Sequence, residues 1–370
     1  MINYLINNTN HQINFCKLNK ISIISKSIEK INSDKNILLI YDEKISKKII
    51  QNLLNELKLT GCKTFNLKIK GDKINKNEKS LFYIINFLIK NKFTKKSVII
   101  SCGGGVVGDI SALASSLYLR GLIYYNIPTT MTAVVDSCIG GKTGINYKGI
   151  INSLGTYYHP RNIFILEEVI STIPAREYTA GLAEIIKCGL IDDKKILTYL
   201  IKNKNYILNR NFSHVTEICK LTLKSKIKFF LKDIYENNSR LILNFGHTFA
   251  HAIEMATENE INKDFIRHGE AVALGILCEI YYSNKKKNDI FYYAKKLFEN
   301  FNLETTLNVT KNKLNEVQLI ENIYRNIFFD KKKIGHFPRY ISLKKMGKPK
   351  IEEMKDFDLI NETILKVLFN

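Results

Sequence analysis

The stretch Val98–Asp109, VIISCGGGVVGD, constrains this 370-residue chain more than any other. An apolar strand, Val98–Ser101, runs straight into Gly103-Gly104-Gly105-Val106-Val107-Gly108-Asp109, and a helical pattern follows over Ile110–Tyr118. Gly103, Gly105 and Gly108 fit GxGxxG. Glycines at this spacing let a pyrophosphate approach the backbone, where the free N–H groups and dipole of a helix can hold it. The ordinary dinucleotide fingerprint places an acidic residue about 20 positions further on, but Leu122–Met131 holds none. The carboxylate must then come from an earlier strand. Asp42, at the end of the strand-like run Ile37–Tyr41, is the candidate, and its bland alternative is a cap for the next helix, Ile45–Leu57. Ile21–Ser25 and Phe65–Ile69 read as further strands. Gly71–Lys79 reads as a polar loop, Ser80–Asn91 as a helix and Ile123–Ile127 as a strand. Strands alternating with helices predict an α/β, Rossmann-like N-terminal domain.

Beyond that sheet lies a second glycine-rich turn, Asp136-Ser137-Cys138-Ile139-Gly140-Gly141-Lys142-Thr143-Gly144. Gly-Gly-Lys-Thr resembles part of a phosphate loop, but GxxxxGK[ST] needs a glycine where Asp136 stands, which argues against a P-loop NTPase. Asp136 and Lys142 instead read as a carboxylate and an ammonium aimed at a polar ligand. From Pro174 onward helical periodicity takes over, with Pro174 as a helix opener. Glu184 and Lys187 lie i, i+3 on one face of an apolar helix, where an unpaired charge would be costly. On Val215–Lys232, Lys220, Lys224 and Lys228 form a solvated stripe, and Lys226 turns toward the side of Leu223 and Phe230. Asp233, Glu236 and Arg240 follow. His247, His251 and His268 then fall within 22 residues. His247 and His251 are four apart, so a helix sets both imidazoles on one face. Imidazole is the commonest metal ligand, and a catalytic zinc takes three protein ligands. The histidine pair lacks the glutamate that HExxH needs as a base, which disfavours hydrolysis and favours polarising oxygens. Asp330–Lys333 and Arg339 add cations that would suit a phosphate or simple solvation.

Composition narrows the class. At about 100–200 residues per domain the length allows two, and 45% hydrophobic with 25% charged is ordinary for a soluble globular protein. No apolar run approaches the roughly 18 residues of a membrane span, and MINYLINNTN has no signal-peptide pattern. Seven dispersed cysteines without a CxxC pair predict free thiols in a reducing compartment. The net charge of +21 comes from lysines spread along a Lys-, Ile- and Asn-rich chain. It lacks the localised basic block or recognition motif of a nucleic-acid binder, so none is expected as partner, although the same field favours a small anionic substrate.

Taken in order, GGGVVGD, LRG, PTT, DS-IGGKTGIN, IPAREY-AGLAEIIK, LNFGHTFAHAIE and HGEAVALG resemble 3-dehydroquinate synthases, over about Ile37 to Arg339. The resemblance implies a Rossmann-like NAD-binding domain over 1–168 and a mostly α-helical metal- and substrate-binding domain over 169–370, with the site in the cleft between. It implies a cytoplasmic homodimer using NAD and a divalent metal, Zn2+ or Co2+. The implied substrate is a phosphorylated sugar acid, 3-deoxy-D-arabino-heptulosonate 7-phosphate, which becomes 3-dehydroquinate and phosphate. One hydroxyl is transiently oxidised, phosphate is eliminated, the ketone is reduced back, the ring opens and an intramolecular aldol step closes the carbocycle. Glu184, His247 and His268 would be metal ligands, where the shared helix face alone would pair His247 with His251. His251, Glu236, Lys187 and Asp136 would be catalytic. Arg120, Asp136, Lys142, Asn152, Lys187, Lys226, Arg240, Asn244, His251 and Lys331 would hold substrate. Asp42, Gly71, Lys79, Gly105, Val106, Val107, Gly108, Asp109, Thr129, Thr130, Lys142, Val169, Ile170, Ser171 and Thr172 would hold NAD.

Three departures stand out. Ile151 occupies a position where the family usually has lysine, with Lys148 as the nearby substitute. The Gly-Glu-x-x-Lys loop is blurred within Gly71–Lys79, where Lys79 is the best match. Extra residues also separate His251 from His268. The rivals are a related cyclase (2-epi-5-epi-valiolone or 2-deoxy-scyllo-inosose synthase), a metal-dependent polyol dehydrogenase of the glycerol dehydrogenase type, and a basic nucleic-acid binder.

Overall fold

The structure is a computed structural model describing residues 1–29, 36–258, 265–307, 315–328 and 337–369. It divides into two compact units, Met1–Pro174 and Ala175–Asn370.

The first unit contains β1 (Ile2–Ile6), β2 (Thr9–Cys16), α1 (Ser22–Glu29), β3 (Asn36–Asp42), α2 (Lys47–Lys58), β4 (Lys63–Ile69), α3 (Glu78–Lys90), β5 (Val98–Gly103), α4 (Gly105–Leu117), β6 (Ile123–Pro128), β7 (Ile145–Tyr147), β8 (Ile150–Leu154), β9 (Asn162–Leu166) and α5 (Glu167–Thr172). Seven strands form one sheet in the order β1-β2-β9-β6-β5-β3-β4, and only the β1–β2 pairing is antiparallel. Period-two alternation explains how β3 is buried on both faces. Ile37 and Leu39 pack with α1 and α2 on one side, and Leu38 and Ile40 pack with α3 and α4 on the other. The chain runs from β3 outward to β4 and then returns to place β5 on β3's other side. That reversal is the point where open α/β sheets leave a crevice at the strands' carboxyl ends.

Two details of this unit differ from the sequence reading. Ile21–Ser25 is not a strand; Ser22–Glu29 is helical. Ile21, Ile24 and Ile28 are the buried positions, a helical spacing that β-branched content disguises as strand. The N-terminal hairpin was not anticipated. Asn7 and Asn8 both take positive φ (47° and 61°), the turn that Asn supports between strands. The glycine-turn helix also starts at Gly105, five residues before the expected Ile110.

The second unit contains α6 (Ala175–Ile191), α7 (Lys194–Lys202), α8 (Lys204–Leu208), α9 (Phe212–Lys232), α10 (His247–Glu258), α11 (His268–Asn284), α12 (Asp289–Asn300), α13 (Glu316–Phe328), β10 (Arg339–Ser342), β11 (Lys350–Glu353) and α14 (Phe357–Thr363). Here α10 packs against α11 and α13, and α11 against α6. Two glycines permit these approaches: a Cβ on Gly275 of α11 would overlap the Gly246 carbonyl, and one on Gly269 would overlap that of Ala180 in α6. Among the described residues, β10 pairs only with β11. Its other edge is satisfied by α11 side chains, with Ile341 N–H donating to Glu279 Oε2 at 3.0 Å and Leu343 N–H to Ser283 Oγ at 3.2 Å.

All seven cysteines are free thiols; six are buried and Cys62 is half-buried. Burial pushes the Cys16 thiol up to about 11, and raises the Cys102 and Cys278 thiols as well. Among the described residues, no helix is long and apolar enough to cross a membrane.

Candidate active site

Among the described residues, one set of metal-ligating side chains converges: Glu184, His247 and His268 each offer an atom within 4.8 Å of the others. Each comes from a locally determined position. Glu184 lies mid-way along α6, whose small Gly181 and Ala183 let the helix bury that stretch on all sides. His247 opens α10 directly after Gly246, whose φ of +84° turns the chain out of the 3-10 segment Ser239–Asn244. His268 opens α11, where Glu270 reaches back to the Arg267 N–H at 2.9 Å in a capping box. Two ion pairs, Arg176–Glu270 at 2.7 Å and Arg267–Glu177 at 2.6 Å, tie the start of α11 to that of α6.

The orientation of the three donors is chemically specific. His268 Nδ1 lies 3.0 Å from Glu254 Oε2 and His247 Nδ1 lies 3.2 Å from the Phe245 carbonyl. Both partners only accept, so in a neutral imidazole Nδ1 carries the proton and Nε2 keeps its lone pair. The two Nε2 atoms face Glu184 Oε1 at 3.9 and 3.8 Å. Glu184 is 1% exposed, and neither of its oxygens has a well-angled hydrogen bond; Oε2 is in close ion-pair contact with Lys187. Three lone pairs therefore point into one space, an arrangement that repels itself until a cation enters. Metal bonds of about 2.0–2.1 Å correspond to tetrahedral ligand spacings of about 3.3 Å, so an ion requires only a small inward shift. His251, one turn along α10, lies outside this set with its ring 5.4 Å from His247 and 6.2 Å from His268.

Cations and carboxylates surround the same helices. Lys187 is 2% exposed and Lys226 is buried, while of the expected stripe on α9 Lys224 and Lys228 face solvent and Lys220 is half-buried. Arg240 is buried over the Phe230 ring and donates from Nη1 to the Ile234 carbonyl at 2.6 Å. Its loop is organised by Asp233, which accepts backbone N–H groups from Asn237, Asn238 and Arg240 at 2.9, 2.7 and 3.0 Å. Burial would raise the Asp233 carboxyl, but those bonds outweigh it and hold it below the usual carboxylate range. Glu236 takes a positive φ of 59° and accepts from Asn244 Nδ2 at 2.8 Å. Asn244, Thr248 and Arg339 line a small cleft with Leu241 and Tyr340. Lys331 and the rest of Asp330–Lys333 lie outside the described residues.

In the first unit the glycine turn sits at the sheet's reversal. Its N-cap, Gly104, has no side chain to satisfy the first N–H groups of α4. Gly103 pairs with Pro128, and Thr129 N–H donates to the Gly103 carbonyl at 2.9 Å, bringing Thr129 and Thr130 alongside. A Cβ on Gly104 would press on Thr130, and one on Gly71 would overlap the Asp42 carboxylate. Asp42 accepts the Lys44 N–H at 3.0 Å and the N-cap position of α2 is Ser46, whose side chain makes no cap hydrogen bond, so Asp42 does not cap that helix. Asp136 lies in a π-turn, Ala133–Ser137. Burial raises the Asp109 carboxyl, Lys76 opposes this, and Asp136 and Lys142 act on it as well. Val169 and Ile170 are buried in α5, and the Ser171 and Thr172 hydroxyls donate back to the Glu168 carbonyl. Arg120 is exposed with φ of +63°.

Residues 66–180 match the family described as 3-dehydroquinate synthase N-terminal, and residues 181–333 match 3-dehydroquinate synthase C-terminal. The chain is 36% identical to a 3-dehydroquinate synthase from Clostridium tetani, covering 92% of this chain and 86% of that one. This chain belongs to the 3-dehydroquinate synthase family. A second family relative, from Dictyoglomus thermophilum, is 39% identical over 78% of this chain and 79% of its own. The fold is also that of a 2-epi-5-epi-valiolone synthase from Streptomyces hygroscopicus subsp. jinggangensis, solved with NAD+ and Zn2+ bound. That match has a TM-score of 0.84 at 20% identity, covering 98% of each chain.

Within the 3-dehydroquinate synthase family, the chain's two lysine departures resolve in an unexpected way. Lys79 is exposed on the first turn of α3. Lys148 is exposed in the β7–β8 turn, its ammonium over the Tyr147 ring. Lys76, which the sequence reading did not single out, instead reaches both Asp109 Oδ2 and Asn152 Oδ1 at 2.5 Å. Nothing in the spacing of Gly71–Lys79 distinguishes it from its neighbours. Glu254 was also missed, although it lies seven residues after His247, on the same helix face.

Proposed function

We propose that this chain catalyses the 3-dehydroquinate synthase reaction, converting 3-deoxy-D-arabino-heptulosonate 7-phosphate to 3-dehydroquinate and phosphate with no net oxidation. One observation carries this reading: Glu184 Oε1 and the Nε2 atoms of His247 and His268 converge on one point, in a chain 36% identical to such an enzyme. Glu184, His247 and His268 would hold a divalent cation, zinc or cobalt. Asp42, the turn from Gly105 to Asp109, Thr129, Thr130, Lys142 and residues 169–172 would hold NAD. When bound, the cation lowers the pKa of a hydroxyl and polarises a carbonyl, and the nucleotide takes and returns a hydride.

The remaining work belongs to the chain's own side chains. Lys187 engages Glu184 Oε2, leaving Oε1 turned to the imidazoles. A C–H beside a ketone must lose its proton before phosphate leaves, and we assign proton transfer to His251 and Glu236. Asn244 orients Glu236 through its 2.8 Å bond. Lys226, Arg240, Arg120, Asp136 and Asn152 hold the substrate's hydroxyl, carboxylate and phosphate oxygens, where charge-assisted contacts are the strong ones. The same reading assigns NAD binding to 1–168, metal and substrate binding to 169–370, and a homodimer to the cytoplasm.

The test is to supply the heptulosonate phosphate with catalytic NAD+ and divalent metal. Stoichiometric phosphate release without net NADH is expected. Accumulating NADH would identify a dehydrogenase, and turnover of only a different sugar phosphate would identify a related cyclase.

A further inference from the structure

The first turn of α10 begins with His247 and is capped from another helix. Gly246 holds the N-cap position: its carbonyl accepts the Ala250 N–H at 2.9 Å, but it has no side chain to offer the N–H groups that follow. No larger residue fits there, because a Cβ would lie 2.8 Å from the Ile276 backbone nitrogen and 3.0 Å from the Val272 carbonyl oxygen, both on α11. α11 itself supplies the acceptor. Glu279, one turn beyond Ile276 and fully buried, accepts the Thr248 N–H on Oε1 at 3.3 Å. We propose that Glu279 is a positioning residue for the metal site, holding the start of α10, and with it His247, at the separation from Glu184 that a cation needs. This rests on the metal reading above.

Burying a carboxylate is costly unless its oxygens are bonded, so a core position that only fills space is better served by an apolar side chain. Both oxygens of Glu279 are in use. While Oε1 serves α10, Oε2 accepts the Ile341 N–H of β10 at 3.0 Å. A carboxylate accepts on both arms, whereas the amide of glutamine accepts on one and donates on the other. Negative charge at the start of a helix also complements the helix dipole. A second link runs beside the first, with Thr248 Oγ1 donating to the Arg339 carbonyl at 2.8 Å. The residue after His247 is thus tied to β10 twice, once directly and once through Glu279. Ser283, a further turn along α11, supplies the contrast. Its hydroxyl accepts the Leu343 N–H at 3.2 Å and donates to the Glu279 carbonyl, so it anchors the end of β10 and leaves α10 to Glu279.

The alternative is that Glu279 anchors the strand alone, and Ser283 separates the two roles. Full-length wild type, Glu279→Gln, Ser283→Ala and Thr248→Val are stripped of metal and melted. Each is then titrated with Co2+ below its melting range, and both the affinity and the d–d absorption band are recorded. Glu279→Gln is expected to bind Co2+ about tenfold more weakly or worse, the loss seen when groups that orient metal ligands are removed, and to shift the band. Ser283→Ala should melt earlier yet keep the wild-type affinity and band, and Thr248→Val should weaken Co2+ binding by a smaller factor. Wild-type affinity with an unmoved band in Glu279→Gln overturns the assignment. So does an equal loss in Ser283→Ala, which would reduce Glu279 to an anchor for β10. If Glu279→Gln does not fold, Thr248→Val decides in its place, and wild-type affinity there overturns the assignment. A wild type that binds no Co2+ refutes the metal reading itself, and this inference goes with it.

Discussion

His247 and His251 sit one turn apart on the same helix, yet the chemistry asked of them differs. His247 has its Nδ1 occupied by a carbonyl and its Nε2 turned to Glu184, whereas His251 stands outside the converging set. His247→Ala is therefore expected to lose both bound metal and activity. His251→Ala should keep one metal per chain and lose turnover by about 10²–10⁴, the usual worth of a proton-transfer group. Metal analysis beside kcat decides, and a His251→Ala protein that cannot be loaded with zinc would contradict the assignment. Asp233 makes a pH prediction. Its folded pKa is depressed, so its contribution to the Arg240 loop is complete above the ordinary carboxylate pKa. That contribution is lost as pH falls through the lower, folded value. Amide exchange at Asn237, Asn238 and Arg240 should accelerate in that acid window, and Asp233→Asn should already show the faster exchange at neutral pH.

At the level of whole elements, the convergence of Glu184, His247 and His268 depends on how closely three helices approach. α11 meets α6 at Gly269 and the turn into α10 at Gly275, with no room for a methyl group at either point. Gly275→Ala should cost about 1–3 kcal/mol, as overpacking does. It should also weaken metal binding, because it pushes His247 away from Glu184. A melting curve and a metal titration on the same variant test both. Such contacts mark the limit of what the sequence conveys. Strand and helix periods place β3 to β6 and α6 within a few residues, and Lys226 is legible because it leaves a solvated stripe. Ile21–Ser25 misleads, since three isoleucines at helical spacing carry a strand former's composition. The pairing of Glu184 with His268 rather than His251 is invisible to spacing, because it is produced by packing between segments more than 80 residues apart. Lys76 is hidden for the same reason: its partners lie 33 and 76 residues away.

For the molecule as a whole, +21 net charge makes long-range attraction of an anionic substrate a measurable quantity. Between about 50 and 200 mM salt, KM for the phosphorylated substrate should rise several-fold while kcat stays nearly constant, since screening acts on encounter. A KM indifferent to salt would mean that the lysines serve solubility alone. The distribution of sulfur has a practical consequence. Six thiols are walled in, and burial disfavours the thiolate that electrophiles require at Cys16, Cys102 and Cys278. Cys62, beyond the end of α2, is the accessible one. A maleimide dye added to the native protein should attach there first and in a one-to-one ratio, yielding a fluorescent reporter on the sheet-bearing unit without any engineering.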